Sequence, residues 1–210
     1  MIVIRKYGLE LQSLQSKDLE MVRQWRNSEN VRKYFEFQKI ISEKEQIEWY
    51  ASLDLKTNVY CIIHHEGIAC GVVSLKEIDW QTGLAEAGVF MGSEIYVKAY
   101  IPVVAVIILM EMAFDILDLK LLRAKIHEEN TDAIKFNRAL GYQKFSKHQF
   151  SRFENFRVDA HQFHLCAQSF KKTLQKRYGD HVNVIFEEKD IAGFPTEARE
   201  RFSKARDRWS

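Results

Sequence analysis

The chain has 210 residues, 46% of them hydrophobic and 12% aromatic, enough to bury one substantial core and too apolar for a disordered chain. Its 31 Lys plus Arg against 29 Asp plus Glu leave a formal charge of +2, too balanced to indicate nucleic acid or an anionic membrane by charge alone. The longest apolar run, Ala99 to Met110, spans about 12 residues against the roughly 20 that cross a bilayer, and Glu111 and Asp115 close it. No apolar stretch with a small-residue cleavage site opens the sequence, so the expected location is the cytoplasm, with no membrane and no nucleic acid as partner. Cys61, Cys70 and Cys166 show no paired spacing, which suits a reducing compartment and supplies no disulfide or zinc framework.

Leu9 to Leu14 alternates apolar and polar residues and reads as a first strand. Ser16 is the expected cap of a helix through Asn27, with Leu19, Val22 and Trp25 on one face. Ser42-Glu43-Lys44-Glu45 is a capping-box pattern opening a second helix, where Ile47, Tyr50 and Leu53 mark the buried stripe. Val59 to His64, Gly71 to Lys76 and Ala85 to Met91 then form a meander, with turns at Glu66-Gly67 and Gln81-Thr82-Gly83. Pro102 suits the first turn of a buried helix running to about Leu117. Leu121 to His127 is a strand, and Asn130 caps a helix of Thr131 to Leu140 that stops at Gly141. Gln143 to Phe150 and Arg157 to Cys166 are read as two more strands about an Asn155-containing turn. Beyond Gln168 the chain turns more polar. Residues 182–186 suit one further strand, and Ala198, Phe202, Ala205 and Trp209 form the apolar stripe of a terminal helix. That stripe docks either on its own domain or on a partner, a homodimer contact included.

Glu129-Asn130-Thr131-Asp132-Ala133-Ile134-Lys135-Phe136-Asn137-Arg138-Ala139-Leu140-Gly141-Tyr142 resembles the E-N-x-x-A-I-x-x-[YN]-x-x-L-G-[FY] signature of the GNAT N-acetyltransferase superfamily. Leu84 to Gly92 is similar to that family's central strand, A-E-x-G-[IV]-[YF]-[IL]-G. Arg23-Gln24-Trp25-Arg26-Asn27 with Val31-Arg32 resembles the W-R-N…V-R element of one branch, which acetylates ribosomal-protein N-termini and nucleotide-linked amino sugars. The resemblance implies an α+β fold: a mixed, mostly antiparallel twisted sheet flanked by helices in residues 1–168. A C-terminal extension, 169–210, holds the strand at 182–186 and the amphipathic helix at 196–209.

It also implies acetyl-CoA, or another acyl-CoA, as cofactor and a small-molecule primary amine as acceptor, an amino sugar or nucleotide-linked amino sugar, with a protein N-terminal α-amine as the alternative. A strand whose neighbour splays away leaves backbone groups that can pair with a pantetheine arm, and Val89, Phe90 and Met91 are placed there. The next helix N-terminus faces the pyrophosphate, giving Lys98, Ala99, Tyr100, Ile101 and Val103 as its contacts, with Asn130 and Asn137 on the following helix. Glu86 is the expected base for the incoming amine, the alternative being an ion pair with a neighbouring cation. Trp25, Arg26, Asn27 and Trp80 are expected to border the acceptor, and an aromatic pocket suits a sugar ring or a base. Val97 to Pro102 departs at every defining position from the family's [QR]-x-x-G-x-[GA] loop: Tyr100 adds bulk where glycine allows close approach, and Pro102 lacks an N–H. A second reading is therefore a binding or scaffold protein that keeps the fold without cofactor. Asn137 stands where many relatives carry a tyrosine that protonates the leaving thiolate. No histidine pair has ligand spacing on its expected strand, with His64 and His65, and His161 and His164, on opposite faces, so no metal is expected.

Overall fold

The computed structural model describes residues 1–97, 100–147, 151–179 and 181–209, with side chains in the last helix as far as Ala205. Strands β1 (Val3–Lys6) and β2 (Leu9–Ser13) form a hairpin about Tyr7 and Gly8, at φ 51° and 77°, the conformation of a two-residue type I′ turn. A 3-10 turn (Ser16–Asp18) leads into α1 (Leu19–Asn27), α2 (Glu29–Arg32) and α3 (Glu43–Ala51). The meander is β3 (Val59–His65), β4 (Ile68–Asp79) and β5 (Leu84–Met91). After the single turn α4 (Glu94–Val97), α5 (Ile101–Glu111) continues as a π segment, Met112–Ile116. Then come β6 (Leu121–His127), α6 (Thr131–Ala139), β7 (Gln143–Lys147), β8 (Phe153–Asp159), α7 (Ala160–Tyr178), β9 (Asn183–Ile185), α8 (Glu188–Ile191) and α9 (Thr196–Trp209). The described strands form one sheet in the order β7-β8-β6-β5-β4-β3-β2-β1-β9, and only β5 and β6 run parallel.

Two apolar clusters sandwich this sheet. The smaller, on the α1 and α3 side, is built on Leu14, Leu19, Val22, Ile62 and Val72 with Trp25, Trp49, Tyr60 and Phe90 packed against it. The larger holds α5. Every residue from Val104 to Phe114 is buried, and a helix apolar on all sides must be covered on all sides. The sheet covers one side, and α7 and α9 contribute Phe163, Ala167, Ala198, Phe202 and Ala205 to the same cluster. The stripe expected on the terminal helix is thus buried within its own chain; the side chain of Trp209 lies outside the described part. One charge sits in this layer: Glu111, 2% exposed, accepts from Lys6 Nζ at 2.6 Å and Lys171 Nζ at 2.7 Å, tying β1, α5 and α7 together.

Several local expectations need correction. Strand β1 was not anticipated, because Ile2-Val3-Ile4 is a block without alternation; β2 and β9 flank it, and Val3 and Ile4 are both buried. Residues 160–166 are helix, not strand. Asp159 caps α7 by accepting from Gln162 N at 2.8 Å, and Asn155 lies inside β8 opposite Lys125. His161 and His164 therefore share a helix, where His164 Nε2 meets Asp115 Oδ1 at 3.0 Å. Ser16 is not the first cap: Gln15 N donates to Asp18 Oδ2 at 2.9 Å and the α-helix starts at Leu19. In α3 the capping box is present, but Gln46 is buried while Ile47 is 51% exposed; the inward face carries Gln46, Trp49 and Tyr50, one residue off the expected stripe.

Removing one partner of a buried charge cluster strands the others. Glu111→Ala is expected to lose about 3–5 kcal/mol in urea unfolding, whereas Lys44→Ala, which breaks an exposed pair with Glu48, is expected to lose under about 0.5 kcal/mol.

Candidate active site

Strands β5 and β6 pair at only three positions, Leu84 with Leu121, Ala85 with Leu122 and Glu86 with Arg123. Beyond them β5 stays with β4 as far as Met91, and β6 stays with β8 as far as His127, so the sheet opens after Glu86. Gly92 N donates to Cys70 O at 2.8 Å. By antiparallel alternation, the backbone groups of Glu86, Gly88 and Phe90 then face β4, the Ala87 N–H belongs to the last rung with β6, and the groups of Val89 and Met91 face the opening. The backbone of Phe90 does not face the opening; its ring joins the α1 side instead.

Side chains alternate the other way, so Glu86, Gly88 and Phe90 point toward α1 and α3. Behind them the register sets Ile62–Val72–Phe90 and Tyr60–Ser74–Gly88 in rows, with Lys76 opposite Glu86. A bulge shifts this register between Lys76 and Asp79, and Glu77 there has φ 51°. Continued unbroken from Asp79–Leu84, the ladder would set Glu77 against Glu86, a destabilising like-charge pair. The bulge substitutes Lys76, which forms an ion pair with Glu86. Tyr60, tucked edge-on beneath Trp49, is pushed up to about 12 by burial and then by the Glu86 and Glu77 carboxylates, so it remains an O–H donor at neutral pH.

The α1 residues split in role. The Trp25 indole lies against Gly92, where any Cβ would overlap its ring atoms, so the glycine closing the central-strand motif is there for close approach. Arg26 stacks 3.4 Å above the Phe35 ring and 6.0 Å from that of Phe90. Its Nη1 is buried without a hydrogen-bond partner, and burial brings the guanidinium down to about 10. Asn27 is fully used: its amide donates to Ile41 O and accepts from Ile41 N, both at 2.8 Å. Trp80 is not brought to these residues. Its indole N–H donates to Lys56 O at 2.8 Å and its ring meets Phe194 at 5.4 Å, in the cluster on the other side of the sheet.

At the α5 end, Lys98 and Ala99 lie outside the described residues. The Tyr100 ring is carried to the hairpin ends, its hydroxyl 2.8 Å from Tyr178 Oη and 3.1 Å from His65 Nε2. The Ile101 side chain is buried in the core and Val103 packs against it. What these two can offer a ligand is backbone N–H at a helix start, where no intrahelical acceptor exists, and Pro102 offers none. Arg177, 5.5 Å over the Tyr100 ring, adds a cation that sequence reasoning missed, since α7 was read as a strand and a tail. Asn130 caps α6 by accepting from Ala133 N at 3.2 Å, and Asn137 Nδ2 donates to Ala133 O at 2.8 Å. Tyr142 is buried, with its phenol raised by desolvation, so it is no proton donor for this opening. Burial raises the Cys61 and Cys70 thiols to about 12 and about 11, leaving both protonated and unreactive. Among the described residues no three His, Cys, Asp or Glu side chains converge on a possible ion, and no helix is long and apolar enough to cross a membrane.

Residues 9–143 match the profile of the acetyltransferase (GNAT) domain. No curated protein matches the sequence. Among solved structures, a domain from Methanocaldococcus jannaschii shares 23% identity with a TM-score of 0.63, covering 76% of this chain and 98% of that one. Spermidine N-acetyltransferase from Vibrio cholerae, in complex with CoA and spermine, shares 19% with a TM-score of 0.66, covering 74% and 98%. The N-acetyltransferase PseH from Campylobacter jejuni shares 17% with a TM-score of 0.57, covering 73% and 99%.

Gly92→Ala is expected to displace the Trp25 ring and cost about 1–3 kcal/mol, read as a shift in tryptophan emission and in the unfolding midpoint. Added to Trp25→Leu it is expected to cost little more, because the two residues share one contact.

Proposed function

The chain belongs to the GNAT family of acyl-CoA-dependent N-acetyltransferases, and we propose that it acetylates the primary amine of an amino sugar, free or nucleotide-linked. The observation that carries acyl transfer is the opening after Glu86, with the backbone of Val89 and Met91 turned into it. These groups fit the amides of a pantetheine arm as a further strand would, and acetyl-CoA brings an activated acyl thioester to that position. The Val89 N–H is then a fixed donor for a carbonyl oxygen as negative charge develops on it. Ile101 and Val103 N–H groups, with Arg177, are the proposed pyrophosphate contacts in place of a glycine loop, and Asn130 and Asn137 line the α6 side.

Glu86, on the strand face toward α1, is the proposed acceptor of the proton that the acceptor ammonium loses, directly or through a water, with Lys76 fixing its carboxylate; the neutral amine then attacks the thioester carbonyl and CoA leaves as the thiolate. Tyr60 supplies a donor beside it. The acceptor face is lined by Trp25, Phe35, Trp49, Tyr60 and Phe90, and flat aromatic walls with polar edges suit a sugar ring. Solved neighbours include PseH, solved with acetyl coenzyme A, and the spermidine enzyme with CoA and spermine; an aromatic face with Arg26 at its edge favours a sugar over a polyamine. Asn27 is proposed to hold the segment ending at Ile41 in place.

Acetyl-CoA is expected to bind saturably in calorimetry, with micromolar affinity; no binding at millimolar cofactor would instead leave a binding protein on this fold. Val89→Pro removes an N–H that β4 does not use, so the variant is expected to fold yet lose about 10²–10³ in kcat. Phe90→Pro breaks the β4 ladder and is expected to unfold the chain. Glu86→Gln is expected to lower kcat by about 10²–10⁴, with acetyl-CoA affinity kept.

A further inference from the structure

Two hydrogen-bond donors on the acceptor side are buried with nothing to donate to: Nη1 of Arg26 and Nε2 of His127. His127 is 2% exposed, and its Nδ1 is placed to accept from Glu129 N at 3.3 Å, which leaves the proton on Nε2. Buried polar groups without partners are uncommon and need a reason. Both lie beneath one short stretch of chain. Phe35 covers Arg26, Tyr34 faces the His127 ring at 6.0 Å, and Glu36 pairs with Lys125 Nζ at 2.5 Å. Lys125 and His127 are two residues apart on β6 and so share its face. The underlying surface thus carries three donors, two of them cationic, and among the described residues the carboxylate paired with Lys125 comes from the stretch on top. That stretch is lightly anchored: Glu36, Phe37, Gln38, Lys39 and Ile40 are exposed.

We propose that Arg26, Lys125 and His127 form a site for an oxyanion carried by the acceptor, and that Glu36 holds its Lys125 corner as a tethered stand-in until residues 33–37 lift. The inference rests on the acetyl-transfer reading and narrows its acceptor to amines that also bear a phosphate or carboxylate. A guanidinium fork matches such planar or tetrahedral oxyanions, whereas a polyamine would meet like charge here. No covalent step is involved.

Binding is measured by calorimetry without turnover, so that a chain that acetylates nothing still reports on the site. Glucosamine 6-phosphate is compared with glucosamine, and β-alanine with ethanolamine, to separate a phosphate source from a carboxylate; spermidine is the cationic probe. At least one anionic amine is expected to bind tenfold or more tighter than its neutral counterpart. Arg26→Met and His127→Leu are each expected to weaken it about tenfold or more, and Arg26→Lys to fall between. Glu36→Gln, which alters only an exposed pair, is expected to tighten binding several-fold. The far-ultraviolet circular dichroism spectrum and the thermal unfolding midpoint check that each variant is folded. Equal affinity for amines with and without the anionic group, preference for spermidine, or a Glu36→Gln variant that binds the anion no better would overturn the proposal.

Discussion

A helix with no polar face has to be surrounded, and α5 makes that demand on the rest of the molecule. The sheet can cover only one side of it. The other side is closed by α7 and α9, so the polar-looking C-terminal segment is recruited into the main core through Phe163, Ala167, Phe202 and their neighbours. Glu111 fits this arrangement because two lysines from distant parts of the chain converge on it; alone, its burial would be prohibitive. With α5 fixed, its first turn and the adjoining strand β5 are fixed too, and these are the two elements that face the opening in the sheet.

The opening itself is a controlled failure of pairing. Three parallel rungs hold β5 to β6, and each strand then follows a different neighbour. Where sheet hydrogen bonds are given up, unpaired backbone remains that a ligand can satisfy. The bulge at Glu77 works on the opposite side of β5. By shifting register one residue it turns a carboxylate–carboxylate opposition into the Lys76–Glu86 pair, so a local irregularity decides which charge the reaction face presents.

Much of this was legible from the residues, and the boundaries of β6 and α6 were read almost to the residue. Leu121 to His127 alternates cleanly and Asn130 is a strong cap, so local signals and tertiary structure agree. The failures cluster where they do not. Ile2-Val3-Ile4 has no period because its strand lies between two others. His161 to Cys166 has enough β-forming character to imitate a strand, and only Asp159 as a cap and the Phe163–Ala167 spacing mark α7. Glu86, Val89 and Arg26, the residues proposed for the site, stand out through motif and alternation. Tyr60 was within reach of alternation. Lys76 was not, because its place opposite Glu86 depends on a bulge; Glu36 meets Lys125 and Tyr34 meets His127 by fold contacts across roughly 90 residues that no local pattern records.

The burial of Phe202 and Ala205 beside α5 also has a consequence in time. The chain is made from its N-terminus, and at the usual 5–20 residues per second roughly 5–20 s separate the synthesis of Glu111 from that of Ala205. Through that interval the most apolar segment of the protein exists without the helix that finally covers it. Biogenesis is therefore the stage at which this fold is most exposed to aggregation, and the capacity of the cell to shield α5 while the last elements emerge sets how much native protein a given rate of translation yields.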